Sequence, residues 1–161
     1  MKQRGTRIVV IAATLLVLAA VNGSILAKER IRSNGERIFL ALAPVDPRSL
    51  MQGDYMALRF AVAEQIAAGN VGADRVRRDA GRASVDIDER GVATLSPDGT
   101  GDLRLRYRMR GPHVWLGTNA YFFEEGNASR FEGARFGEFR VDRDSGEAVL
   151  VGLRGAGLEP L

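Results

Sequence analysis

Hydrophobic and polar positions divide the chain into two unequal parts. Residues 8–27 read IVVIAATLLVLAAVNGSILA, an apolar run without a single charged residue. A helix of this length spans about 30 Å, which matches the hydrocarbon core of a bilayer. A core helix of a soluble domain would have a polar face at a period near 3.6, and none appears before Asn22. We therefore predict that residues 8–27 form a transmembrane signal anchor.

A cleaved signal peptide is the alternative interpretation of this segment. Lys2, Arg4 and Arg7 supply the positively charged start that a signal peptide needs, and residues 17–19 or 21–23 provide a poor cleavage site. The apolar run continues past both sites, which makes it longer than the core of a typical signal peptide. For that reason the uncleaved anchor is favoured.

The orientation of the anchor does not follow from its flanking charges, since about four basic groups lie on each side. The tail, residues 1–7, is too short to fold. We expect this tail in the cytoplasm, a polar tether at residues 28–37, and a domain of residues 38–161 outside the cytoplasm.

The clearest strand pattern lies in residues 103–110, where apolar and basic side chains alternate strictly. Successive side chains of a strand point to opposite faces. Four arginines therefore share one face: Arg104, Arg106, Arg108 and Arg110. They are a candidate face for an anionic sugar, a lipid headgroup or an acidic partner. The alternative, favoured by the neutral domain, is a solvated face paired with carboxylates of neighbouring strands such as Asp86 and Asp88.

Other patterns complete a fold of the α+β class. Apolar residues at alternate positions predict a strand from Met56 to Val62 that turns helical near residues 63–68, and a short helix suits residues 128–136. Two hairpins are predicted, one from residues 83–88 and 92–96 and one from residues 138–142 and 147–153, with Phe139 and Val141 facing Val149 and Val151. Together, these elements predict a mainly antiparallel sheet with one or two short helices after the transmembrane helix.

The net charge of +3 would ordinarily suggest a nucleic-acid partner. The whole excess lies in the tail, because residues 28–161 hold 20 basic and 20 acidic side chains. The domain is neutral, and we predict that it does not bind nucleic acid.

Several common catalytic groups are missing from the sequence. The chain has no cysteine, its one histidine is His113, and its only lysines are Lys2 and Lys28. These absences exclude thiolate nucleophiles, cysteine-bound zinc or iron–sulfur centres, sites with several histidines, and a catalytic lysine within the domain. We assign no catalytic residue, no metal ligand and no cofactor.

The sequence GDYMALRF at residues 53–60 resembles the motif after which the GDYXXLXY family is named. Phe60 stands where the family has its last tyrosine, which keeps the ring and loses the hydroxyl. Residues 45–50, 122–126 and 134–142 are similar to other segments of the family. The motif residues have structural explanations as turn formers and packing groups: Gly53, Asp54, Tyr55, Leu58 and Phe60.

The resemblance implies an N-terminal membrane segment and an exported domain in a bacterium, hence a location in the inner membrane with the C-terminal domain in the periplasm. Members of this uncharacterised family look like companions of multi-spanning membrane proteins. The leading hypothesis is a non-enzymatic accessory or interaction module for another membrane or envelope protein. The alternative is an envelope hydrolase that uses Asp54 with Glu124 or Glu125, and it requires these carboxylates to converge in a pocket.

Overall fold

The N-terminal part of the chain is one long helix. The structure, a computed structural model, describes residues 2–43, 51–52, 55–69 and 80–161. Helix α1 (Lys2–Asn34) contains the whole predicted anchor, and it is long and apolar enough to cross a membrane. None of its apolar stretch is buried against the domain. The helix also includes residues 28–34 of the predicted tether, and the first strand begins at Glu36.

The remaining elements confirm the predicted fold class, α+β with a mainly antiparallel sheet. Helix α2 (Ala61–Gly69) and a short 3-10 helix (Ala128–Phe131) accompany the strands. The strands are β1 (Glu36–Ala41), β2 (Met51–Gln52), β3 (Tyr55–Ala57), β4 (Ala80–Ile87), β5 (Val92–Leu95), β6 (Leu103–Arg110), β7 (His113–Trp115), β8 (Ala120–Phe122), β9 (Phe136–Val141) and β10 (Ala148–Arg154).

Seven of these strands form a mixed, mostly antiparallel sheet in the order β10-β9-β1-β5-β4-β6-β7. Strand β1 runs parallel to β5, and the other neighbours are antiparallel. A smaller sheet has the order β2-β3-β8. Both predicted hairpins are present, as the pairs β4–β5 and β9–β10.

The large sheet is curled, so that its two ends approach each other. The backbone N–H of Arg106 in β6 donates to the carbonyl oxygen of Gly146, in the turn between β9 and β10, at 2.7 Å. Gly146 has a φ of +72°, and a Cβ atom there would lie 2.5 Å from the carbonyl oxygen of Arg104. Only glycine fits this position, because a side chain would be strained and would collide with β6.

The curled sheet encloses the hydrophobic core, and α2 packs against it through Val62, Ala63 and Ile66. The largest fully buried side chains come from several strands and their connections: Phe60, Phe139, Ile38, Leu40, Leu58, Leu105, Leu116, Leu153, Val85 and Val141. Burial of large aliphatic and aromatic side chains on this scale is the main source of stability for a domain of this size.

Three details differ from the sequence predictions. The predicted strand that follows Met56 ends at Ala57, and the chain is already helical at Ala61. The predicted helix at residues 128–136 is a single 3-10 turn, because Phe136 begins β9. In the last hairpin Phe139 lies opposite Leu150 rather than Val149, because the turn sets the register: the backbone N–H of Asp142 donates to the carbonyl oxygen of Glu147.

Candidate functional site

Three of the five motif residues fall in the described part of the chain, whereas Gly53 and Asp54 lie outside it. Tyr55 is in β3, which pairs with β8, and its ring lies 5.7 Å from that of Phe122 between centroids. Phe122 is 75% exposed. The motif therefore contributes one ring to an aromatic pair at the surface of the small sheet.

The other two motif side chains belong to the core. Leu58 and Phe60 are each about 1% exposed. The ring of Phe60 meets that of Phe139 edge to face, with 5.1 Å between centroids. This arrangement is a favoured geometry for aromatic pairs. The last ring of the motif thus joins the segment before α2 to strand β9.

The carboxylates of the hydrolase hypothesis do not show the burial that it requires. Glu124 and Glu125 are both exposed, in the segment after β8. Glu124 accepts a 3.5 Å hydrogen bond from the side-chain amide of Asn127. Asp54, the third group of that hypothesis, lies outside the described residues.

The alternation predicted for residues 103–110 is confirmed. Leu103, Leu105 and Tyr107 are buried on one face of β6. The other face carries the exposed arginines that the sequence singled out: Arg104, Arg106, Arg108 and Arg110. We call these four residues the arginine row.

The predicted pairing of the arginine row with Asp86 and Asp88 is wrong. Strand β6 begins at Leu103, opposite Val85, so that Asp86 lies beyond its end and pairs instead with Thr94 of β5. The Asp88 carboxylate accepts backbone N–H groups of the following turn, from Arg90 at 2.9 Å and from residue 92 at 2.8 Å.

The residues that pair with the arginine row on the neighbouring strands include no acidic residue. Its members face Ser84, Arg82, Ala80, Trp115 and His113 on strands β4 and β7. Within the described ranges, none of the four guanidinium groups forms an ion pair with a carboxylate. The arrangement therefore leaves an excess of positive charge on this face.

Three members of the row line a groove of about 340 Å³ beside the C-terminal end of α1. The other lining residues come from α1, from β7 and its following loop, and from the last hairpin: Lys28, Trp115, Gly117, Glu147 and Ala148. Lys28 and Glu147 form an ion pair. The Arg110 guanidinium lies 4.3 Å from the centroid of the Trp115 ring, in a cation–π contact.

The turn between β9 and β10 places Glu147 at the groove. One carboxylate oxygen of Asp142 accepts hydrogen bonds from the backbone N–H of Ser145 at 2.8 Å and from its hydroxyl at 2.7 Å. These bonds to Ser145 lower the pKa of Asp142 below its usual value, because they stabilise the charged form. The same turn contains Gly146, which bonds to β6.

A second set of contacts lies where α1 ends and β1 begins, against the β9–β10 hairpin. The Arg143 guanidinium pairs with the Glu36 carboxylate at 2.6 Å, and Ile31 is buried. The backbone N–H of Gly35 donates to the carbonyl oxygen of Ile31 at 2.8 Å. The helix thus ends against the β9–β10 hairpin.

Sequence reasoning identified the arginine row but missed Lys28, Trp115 and Glu147 as its neighbours. Lys28 and Glu147 are 119 positions apart, and their proximity depends on the curl of the sheet. A local pattern contains no signal for such a contact. Chemically, the groove is suited to binding an anion, because guanidinium and ammonium groups donate charge-assisted hydrogen bonds to phosphate and carboxylate oxygens.

Comparison with known proteins agrees with the resemblance seen in the motif. The family model described as GDYXXLXY protein matches residues 17–153, from within α1 into the last strand. No curated protein and no solved structure matches the chain.

Proposed function

We propose that this chain, which belongs to the GDYXXLXY protein family, is a membrane-anchored accessory or interaction module without enzymatic activity. Helix α1 serves as an uncleaved anchor in a bacterial inner membrane, with the tail in the cytoplasm and residues 38–161 in the periplasm. Its partner is another membrane or envelope protein, for which a multi-spanning membrane protein is the leading candidate.

The observation that carries this proposal is the direct attachment of α1 to the domain. Within the helix, Lys28 pairs with Glu147 of the last hairpin and Ile31 is buried. Just after the helix, Glu36 of β1 pairs with Arg143 of the same hairpin. A helix fixed in this way presents the domain in one orientation relative to the membrane. Preorganisation of this kind lowers the entropic cost of binding a neighbour in the same membrane.

The surface of α1 supports an intramembrane part of that contact. Small residues recur at Ala19, Gly23 and Ala27, one helical turn apart, and all three are exposed. Nothing lies within 4 Å of the position where Gly23 would carry a Cβ atom. Small residues at this spacing allow a second transmembrane helix to approach closely.

A polar side chain beside this stripe is an independent indication. Asn22 is exposed within the apolar run, and its amide nitrogen donates to the carbonyl oxygen of Leu18 at 2.8 Å. A polar group that faces lipid is costly, whereas an amide at a helix–helix contact forms hydrogen bonds with the partner. The stripe and Asn22 together define the face of α1 that we assign to the partner.

Affinity purification of the full chain from mild detergent, at native expression, tests the proposal. We expect a reproducible membrane-protein partner with the natural sequence, and its loss with Gly23→Leu, because the added side chain blocks close approach. Val21→Leu is the matched control, since Val21 lies on the opposite side of the helix and is already large. Recovery of the natural chain as a lone monomer would contradict the proposal.

A further inference from the structure

We propose that the groove beside the end of α1 binds the phosphate group of an anionic phospholipid in the leaflet on the domain's side of the membrane. This inference rests on the membrane anchor of the proposed function, but it does not depend on a protein partner. The groove would hold the domain against the membrane surface. The position of the domain on the membrane would then depend on lipid composition.

The position of Lys28 places the groove at the membrane surface. Lys28 lines the groove and directly follows Ala27, the last residue of the apolar run. The headgroup layer begins where the hydrocarbon-spanning segment of an anchor ends. Lysine side chains near the end of a transmembrane helix extend into this layer. A lipid phosphate and the groove are therefore at the same level.

The charges of the groove favour an anion. Arg106, Arg108 and Arg110 are exposed on one face of β6, and alternate residues of a strand are roughly 6.8 Å apart. A phosphate group between two neighbouring guanidinium groups accepts hydrogen bonds from both. Glu147 is the one carboxylate among the described residues that lines the groove, and it is already paired with Lys28. Three positive charges in the groove thus have no acidic partner among the described residues.

The remaining wall of the groove suits the part of a lipid next to its phosphate. Trp115 is half-buried and carries the Arg110 guanidinium over its ring. Indole rings prefer the interface between headgroups and hydrocarbon, because they combine an apolar body with one N–H donor. A groove with cations on one side and an indole on another matches a charged headgroup joined to an apolar chain.

Trp115 also provides the measurement, since it is the only tryptophan of the chain. The full chain is incorporated into nanodiscs of phosphatidylcholine with increasing fractions of phosphatidylglycerol, and tryptophan emission is recorded. We expect the emission maximum to move to shorter wavelength as the anionic fraction rises, because the bound lipid displaces water from the indole. An emission maximum that stays at its value in pure phosphatidylcholine as the anionic fraction rises would overturn the proposal.

Two exposed arginines of the same strand give matched variants. Arg108 lines the groove, whereas Arg104 lies outside it on the same face. We expect Arg108→Gln to require about fivefold more anionic lipid for half of the shift, as removal of one basic residue near an anionic surface implies. Arg108→Lys should retain most of the response, and Arg104→Gln should behave like the natural chain. Equal losses in Arg104→Gln and Arg108→Gln would overturn the groove as the site.

Competition distinguishes the lipid from other anions. Inorganic phosphate added to nanodiscs of pure phosphatidylcholine should leave the emission unchanged at millimolar concentration. If it reproduces the shift, the ligand is a soluble phosphate and the lipid assignment is wrong. An acidic peptide that produces the shift where phosphatidylglycerol does not would assign the groove to a protein partner. Failure of the chain to enter nanodiscs at all would instead contradict the anchor of the proposed function.

Discussion

Lys28, the first charged residue after the apolar run, forms an ion pair with Glu147 in the hairpin that ends the domain. The two side chains are 52% and 34% exposed. A pair of this kind contributes at most about 1 kcal/mol to the free energy of unfolding. Its significance is geometric, because it joins the end of the apolar segment to the last hairpin of the fold.

We expect Lys28→Glu to loosen the attachment of α1 without unfolding the domain. The substitution places two negative charges side by side, whereas the double variant Lys28→Glu with Glu147→Lys restores an attractive pair. Spin labels on cysteines introduced at Glu29 and Thr94, both exposed, measure the distance between helix and sheet. The distance distribution should be narrow in the natural chain, broad in the single variant and narrow again in the double variant. Equally narrow distributions in all three would contradict a role for this pair.

Phe60 should be the motif residue most important for stability. Its ring is about 1% exposed and packs edge to face on Phe139. Phe60→Ala leaves a cavity in the core and should lower the free energy of unfolding by about 3–5 kcal/mol. Urea denaturation of the full chain in detergent, followed by the fluorescence of Trp115, measures this change.

Phe122→Ala is the control for Phe60→Ala, because it removes the same side chain from a position that is 75% exposed. It should change the free energy of unfolding by less than about 1 kcal/mol. A loss for Phe122→Ala as large as that for Phe60→Ala would contradict this account, because the surface pair of Phe122 with Tyr55 would then matter as much to stability as the core ring.

Asp98 should make the domain sensitive to acid. The backbone N–H of Thr100 donates to its carboxylate at 3.0 Å, and the Ser96 hydroxyl donates at 2.8 Å. Led by the bond to the Thr100 backbone, these interactions lower the pKa of Asp98 from 3.8 to about 2. The folded state therefore binds this proton less readily than the unfolded state. The resulting stabilisation is present above pH 4 and is lost as the pH falls from about 4 to about 2.

The measurement compares the urea midpoints of the natural chain and Asp98→Asn at several pH values. The natural chain should be the more stable of the two at neutral pH, and the difference should shrink as the pH falls toward 2. The comparison is needed because other carboxylates, such as Asp142, also have a lowered pKa. A difference that stays constant from pH 7 to pH 2 would show that the charge of Asp98 does not stabilise the fold.

The proposed orientation predicts the behaviour of reporter fusions in a bacterial host. Alkaline phosphatase is active only after export, so its fusion after Leu161 should be active. A reporter that works only in the cytoplasm should be inactive at the same position. The opposite pattern would reverse the orientation and place the domain in the cytoplasm.

Local patterns in the sequence predicted the elements that depend on neighbouring residues. Twenty uncharged positions at residues 8–27 are sufficient to identify the apolar helix. Strict alternation at residues 103–110 assigned each side chain of β6 to the correct face, because a strand has a period of two. The two hairpins followed from turn residues between short apolar runs.

Contacts between distant segments could not be predicted in the same way. The curl that brings Arg106 to Gly146 and Lys28 to Glu147 depends on the packing of the whole sheet. The parallel pairing of β1 with β5 and the register shift after Leu150 likewise have no local signature. The incorrect pairing of the arginine row with Asp86 came from this limit, since the register of β4 and β6 decides which side chains meet.

Photocrosslinking in living cells from within α1 tests the central claim most directly. A photoreactive amino acid at Gly23 should give one crosslinked product with another membrane protein, while the same group at Val21, on the opposite side of the helix, should give little or none. Equal products from both positions, or none from either, would contradict the assignment of this chain as a membrane-anchored interaction module. Crosslinks only between copies of the chain itself would contradict it as well.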